Sequence, residues 1–375
     1  MNNLNVLSLD GGGMRGLYSA TVLKVLGERF AKLQQAGPLD IGKGFDLVVG
    51  TSTGAILAAG IAAGIPIDKV AILYEQIGPL IFPRPMPPGP VSLRWRDRAR
   101  FLTWGVRHLR HSAGNSGELA SALRNIFGTM TLGQIYERRG IGLAISATRL
   151  LQHSPRVFKT PHIPSKNRDD DLSVVDACVA SSAAPIYLPL ASITEDGIEG
   201  QVFADGGLWA NNPVLLGLID GLAVAKPDQP IVIVSVGTCP APVGADPSPR
   251  LARGILAWRA GVLPLTLGMD TQARAATHAA TLLAEQLAPL GKQVEILRCA
   301  ESKPSPHQAH LLQLDSTSRD SRNLMRQLGN TDAHETYRWT QSDDRRGTIL
   351  KQVFARMPET DNHPEPEGEK HEKLR

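Results

Sequence analysis

Two glycine-rich corners constrain this chain more than any other feature: Asp10-Gly11-Gly12-Gly13-Met14-Arg15-Gly16 and Gly50-Thr51-Ser52-Thr53-Gly54. Each follows an apolar run, Leu4 to Leu9 and Phe45 to Val49, that reads as a buried strand. Each opens a segment of helical character, Leu17 to Phe30 and Ala55 to Ala63, so both are strand-to-helix corners. At the first corner successive glycines let backbone N–H groups converge without Cβ obstruction, which suits a phosphate or the oxyanion of an acyl intermediate. Arg15 adds a fixed positive charge there. At the second corner Gly50 and Gly54 permit the strained turn that presents the Ser52 hydroxyl at a helix N-terminus, where the dipole favours negative charge. The second corner alone is also an ordinary tight turn. Together they supply an anion cradle and a nucleophile.

A rival reading takes Gly11, Gly13 and Gly16 as the Gly-x-Gly-x-x-Gly fingerprint of a dinucleotide site. That reading expects an acid at the end of the second strand, to hold the ribose hydroxyls. The strand ends instead in Gly50 and the Ser52 corner. An acid does stand in Asp205-Gly206-Gly207, after the apolar pair Val202-Phe203, where two glycines allow close approach to another loop. Asp-Gly is equally a turn signal, but beside a serine corner Asp205 is read as the base for Ser52. A Ser, Asp, His triad would draw on His278, His307, His310 or His334, which follow Asp205. None of them sits in a strand-end motif, and each reads as a surface or packing histidine.

The three motifs, in this order, resemble the patatin-like phospholipases, over about residues 4 to 240. Leu314-Asp315-Ser316 through Leu324-Met325 is similar to the family's C-terminal segment. The resemblance implies an α/β fold of the patatin-like three-layer kind, with a nucleophile elbow. It implies a Ser-Asp dyad of Ser52 and Asp205, an oxyanion site of Gly11, Gly12, Gly13 and Arg15, and neither cofactor nor metal. In such a dyad a carboxylate of intrinsic pKa about 4 must accept a proton from a far more basic hydroxyl. The transfer works only in concert with attack, so the oxyanion site carries much of the burden. The length, the early first strand and Ser181-Ser182-Ala183-Ala184-Pro185 further resemble the bacterial cyclic-dinucleotide-activated phospholipase effectors of anti-phage (CBASS) defence. That finer likeness implies membrane phospholipid as substrate, a cyclic dinucleotide as activator at a site the sequence does not locate, and peripheral action at the inner membrane.

Composition agrees with a large α/β unit: 375 residues, 42% hydrophobic and 20% charged. Further strands are expected at Ile141 to Ala147 and Ile231 to Val236, giving a mostly parallel sheet flanked by helices. Residues 1–357 read as a single domain. Cys178, Cys239 and Cys299 form an odd, widely spaced set, and Met1 to Asn5 lacks a secretion signal, which together predict a cytoplasmic protein. The longest apolar stretch, Gly54 to Ile67, is too short to span a bilayer.

Residues 82–116 differ in composition and read as an insertion. Prolines 83, 85, 87, 88 and 90 precede Arg94, Arg96, Arg98, Arg100, Arg107 and Arg110, interleaved with Trp95, Phe101 and Trp104. This is a membrane-surface lid, a site for an anionic ligand, or a solvated helix with its aromatics packed inward. A net charge of +4 favours anionic partners without naming one, and no nucleic-acid fold signature is present. Residues 358–375, rich in Glu and Pro, read as a disordered tail. The sequence leaves open a homo-oligomer, a constitutive housekeeping lipid acyl hydrolase, and a catalytically silent anion-binding module.

Overall fold

The apolar runs alternate sides along each strand and are buried on both. A computed structural model describes residues 3–87, 95–164, 166–195, 198–239, 254, 258 and 261–360. Its strands are β1 (Leu4–Leu9), β2 (Leu47–Thr51), β3 (Gly142–Arg149), β4 (Ser154–Lys159), β5 (Ala191–Glu195), β6 (Ile198–Asp205), β7 (Ile231–Val236) and β8 (Val294–Arg298). They form one sheet in the order β5-β6-β3-β2-β1-β7-β8, with β4 also paired to β3. The run from β3 to β8 is parallel, and β4, β5 and β6 add an antiparallel edge. The fold is therefore α/β with a mostly parallel central sheet, as expected.

The helices are α1 (Gly16–Gln34), α2 (Thr53–Ala63), α3 (Ile67–Ile72), α4 (Gly78–Ile81), α5 (Trp95–Arg107), α6 (Ser116–Phe127), α7 (Leu132–Arg139), α8 (Val174–Ser181), α9 (Gly207–Ala210), α10 (Val214–Val224), α11 (Val262–Leu287), α12 (Arg319–Arg338) and α13 (Arg345–Phe354). On one sheet face Leu7, Val48, Ile145 and Val234 pack with α1, α2, α8 and α12. On the other Val6, Val49, Ala144 and Ile233 pack with Val214 and Leu218 of α10 and Ala276 and Ala280 of α11. Helices thus cover both faces, which is why the central strands read as continuous apolar runs.

The antiparallel edge positions the site. β2 pairs with β3 from Gly142 to Ser146, and β6 pairs with β3 from Ala147 to Arg149. Since β4 pairs with β3 from Ala144 to Arg149, it occupies the other edge of that strand. β2 and β6 must therefore lie end to end on one edge of β3 and run toward each other. Their last residues, Thr51 opposite Ser146 and Asp205 opposite Ala147, meet there.

The chain beyond β7 is part of the core. Phe30 of α1 stacks on Phe354 of α13 at 4.0 Å between ring centres and meets Tyr337 of α12 edge-on at 5.3 Å. Pro358 and Thr360, which composition places in the polar tail, hydrogen-bond along Pro38–Asp40. Residues 88–94 of the basic insertion and 361–375 of the tail lie outside the described residues. Because Phe354 is only 1% exposed, Phe354→Ala is expected to cost about 3–5 kcal/mol. Urea denaturation reads this as a lower midpoint with an unchanged slope, and an unchanged midpoint would show that the C-terminal helix is dispensable to the core.

Candidate active site

Ser52 stands between β2 and α2 with φ 54° and ψ −125°, in the region L-residues rarely adopt. Such a residue stores about 1–3 kcal/mol of backbone strain and persists only where its surroundings hold it. The holding is close packing: a Cβ on Gly50 would strike the Gly54–Ala55 backbone. Beyond the elbow, the N–H of Ser52 donates to Ser181 Oγ at 2.8 Å.

The Ser52 hydroxyl donates to Asp205 Oδ2 at 2.7 Å. The other carboxylate oxygen, Oδ1, accepts the N–H of Gly207 at 2.6 Å. Gly206 N–H is bound by the Ser181 carbonyl and Asp205 N–H by the Ala183 carbonyl, so one segment holds both the elbow and the Asp-Gly-Gly loop. Asp205 is 1% exposed and Ser52 5%. Burial pushes the Asp205 carboxyl up to about 6, against the pull of the bonds from Ser52 and Gly207. No imidazole reaches Asp205 among the described residues. His278, His307 and His310 are exposed, and His334 lies beside Arg29.

The glycine loop is pinned from several sides. Gly11 N–H donates to Asn211 O, Gly11 O accepts Thr238 Oγ1, and Met14 N–H donates to Leu314 O. Asp10, which begins the loop, is gripped through both carboxylate oxygens by Arg298 at 3.0 and 2.7 Å. Arg298 also meets Glu301 at 2.6 Å, and both acids hold it firmly charged. Gly13 has φ 58°, and a Cβ there would collide with the Leu314 carbonyl. The N–H groups of Gly12 and Gly13 have no acceptor among the described residues. Arg15 does not point freely at Ser52. Its guanidinium donates to the carbonyls of Gly12 at 3.3 Å and Cys239 at 3.4 Å, with Asp270 4.0 Å away.

Ser52, Asp205 and Gly13 line one cleft. Its walls are otherwise mostly apolar, including Ile56, Leu73, Phe82, Leu188 and Met269. Leu73 lies in a π-helical turn, Leu73–Ile77, a feature that often marks functional sites. Two buried hydroxyls on this wall, Thr53 Oγ1 and Ser182 Oγ, have no partner among the described residues. A hydroxyl bonded to a buried carboxylate thus faces a mostly apolar cleft. Among the described residues, no cluster of three or more His, Cys, Asp or Glu could hold a metal ion.

Sequence reading singled out Ser52, Asp205 and the two glycine corners, and the fold brings them together. It missed Ser181 and Arg298 as supports; Ser181 stood in a conspicuous Ser-Ser-Ala-Ala-Pro run, whereas Arg298 carries no local signal.

The family described as "Patatin-like phospholipase" matches residues 7–218. The chain is 35% identical over 265 residues to a "cGAMP-activated phospholipase" of Pseudomonas aeruginosa, covering 70% of this chain and 71% of that one. It is 30% identical over 283 residues to a "cUMP-AMP-activated phospholipase" of Escherichia coli, covering 72% and 75%. Among solved structures, human GIVD cytosolic phospholipase A2 aligns at 9% identity and a TM-score of 0.44, over 94% of this chain and 60% of that one. With that family match over more than half its length, this chain belongs to the patatin-like phospholipases, hydrolases of carboxylic esters.

Proposed function

We propose that this protein cleaves the acyl esters of membrane phospholipids with Ser52 as nucleophile and Asp205 as base, that a cyclic dinucleotide switches it on in anti-phage defence, and that it works peripherally at the inner membrane. The observation that carries the chemistry is the 2.7 Å bond from Ser52 Oγ to a buried carboxylate inside an apolar cleft. Ser52 Oγ attacks the ester carbonyl as its proton passes to Asp205. The oxyanion takes the N–H groups of Gly12 and Gly13. Arg15 acts through the loop: by binding the Gly12 carbonyl it polarises the Gly12–Gly13 peptide and strengthens the Gly13 N–H as donor. Asp205 then returns the proton to the departing alcohol, which leaves as a lysophospholipid. Water, deprotonated by Asp205, hydrolyses the acyl-serine to a free fatty acid and restores Ser52.

The names of the two bacterial relatives support ligand gating. One feature favours the alternative of a constitutive hydrolase: the Ser52–Asp205 bond is already made in this structure. Fatty-acid release from phospholipid vesicles with a panel of cyclic dinucleotides separates the two. Release with one ligand alone supports gating, and equal release without ligand supports the constitutive enzyme.

Ser52→Ala and Asp205→Asn are each expected to lower ester hydrolysis by roughly three orders of magnitude or more while the fold stays intact. Near-normal turnover of a folded Asp205→Asn protein would rule out the dyad. Because Asp205 must be ionised to act and its carboxyl titrates at about 6, kcat/KM is expected to fall with a one-proton slope below about pH 6. A profile flat from pH 5 to pH 7 would contradict that role.

The same shift bears on stability. A carboxyl raised from 3.8 to about 6 on folding binds its proton more tightly in the fold, so it opposes folding increasingly as pH rises through that interval. Above about pH 6 the cost levels off near about 3 kcal/mol. Asp205→Asn is therefore expected to be more stable than wild type at pH 7 and no more stable at pH 4, as read by urea midpoints. Equal midpoints at both pH values would mean that the buried carboxylate is not strained.

A further inference from the structure

Helix α5 presents two different apolar faces. Phe101 is buried at 6% exposure, and Trp104 turns inward enough for its Nε1 to donate to the Arg84 carbonyl at 3.2 Å. On another side Leu102, Val106 and Leu109 follow at i, i+4 and i+7, Leu109 in the turn just past the helix end. They are 51%, 68% and 78% exposed. An inward-packed solvated helix accounts for Phe101 and Trp104. It leaves this outward stripe unexplained, since large apolar side chains grouped on a surface mark an interaction site.

The charge around the stripe is of one sign. No acid occurs from Arg98 to Gly117. Arg100 and Arg107 join Arg84, Trp104 and His108 in a shallow groove along the helix, and Arg110 follows. The side chains of Arg84, Arg100, Arg107 and Arg110 make no ion pair or hydrogen bond among the described residues. The groove runs along a different side of α5 from the stripe, and its unpaired like charges repel one another until an anionic surface meets them.

Both ends of this segment are fastened to the wall of the active-site cleft. Met86 N–H donates to Asp315 Oδ2 at 2.6 Å, in the turn whose Leu314 carbonyl also holds Met14 of the glycine loop. On the return, Gly114 N–H donates to the carbonyl of Tyr187 and Asn115 N–H to that of Ile81, and both acceptor residues line the cleft. Ile186, 36% exposed, whose carbonyl accepts Ala113 N–H, and Leu190, 44% exposed, flank the cleft residues Tyr187 and Leu188 in the chain. The segment that carries α5 is thereby tied at both ends to the cleft.

We propose that the Leu102–Val106–Leu109 stripe of α5 and the arginines of the same segment form the surface by which this protein docks on an anionic phospholipid bilayer. The stripe enters the acyl boundary and the groove of Arg84, Arg100 and Arg107 takes headgroup phosphates. The inference rests on the reading that the substrate is membrane phospholipid, and it adds the residues that bring the cleft to it.

The test uses full-length Ser52→Ala, which leaves vesicles intact, in flotation with phosphatidylglycerol-rich and with phosphatidylcholine vesicles, each with and without cyclic dinucleotides. Tighter binding to the anionic vesicles that weakens with salt is expected. In that background Leu102→Gln/Val106→Gln/Leu109→Gln should lose binding. Arg100→Gln/Arg107→Gln/Arg110→Gln should weaken it on the order of a hundredfold, about fivefold per arginine. With Ser52 present, the apolar triple variant should still cleave a dispersed short-chain ester at the parent rate while losing vesicle hydrolysis. Parent-like vesicle binding by both triple variants would overturn the proposal. So would an apolar variant that loses only self-association, or an arginine variant that loses only cyclic-dinucleotide binding. Vesicle binding without cleavage of any ester would uphold the docking surface and overturn the hydrolase reading.

Discussion

The structure depends on two strands that end head to head on one edge of β3. β2 arrives parallel to β3 and β6 arrives antiparallel, so their last residues face each other across one register step. Two turns then project a hydroxyl and a carboxylate into the same space. In a purely parallel arrangement β2 and β6 would end side by side, whereas here they meet end to end. The antiparallel edge is thus how this chain brings the two residues together, and Ser52, at its strained φ, completes the meeting with a 2.7 Å hydrogen bond.

Around that bond, low solvation does opposing work. Burial raises the proton affinity of Asp205, which makes it a better base for a serine than a solvated carboxylate. The same burial opposes folding, so the site is maintained by contacts elsewhere. These include the Ser181 segment that holds both loops, the grip of Arg298 on Asp10, and the Leu314 carbonyl against Gly13 and Met14. The last of these contacts ties the C-terminal third of the chain to the site. α12 and α13 pack on α1 through Phe30, and Leu314 just before α12 reaches the glycine loop.

What was legible in the sequence was local. Continuous apolar runs announced β1, β2, β3 and β7, because strands buried on both faces have no polar alternation to confuse them with. Ser52, Asp205 and the glycines showed because turn chemistry restricts residue type. β8 escaped because Val294–Arg298 is only partly buried and interrupts its apolar residues with Glu295, and the β5–β6 hairpin because Ala191–Glu195 and Ile198–Asp205 carry no continuous apolar run. Which loop N–H groups remain unengaged could not be read either: Gly11 is taken by Asn211, two hundred positions away, and only the folded contact leaves Gly12 and Gly13. Helix α5 shows the same limit, since one arginine-aromatic pattern encodes an inward aromatic face and an outward aliphatic stripe together.

The role proposed for Ser52 as an activated nucleophile is open to covalent capture. The folded protein would be treated with a serine-reactive alkyl fluorophosphonate and the adduct located by peptide mass spectrometry. One adduct is expected, on Ser52, forming far more slowly in Asp205→Asn. No adduct on the folded protein, or one on another serine, would contradict that role.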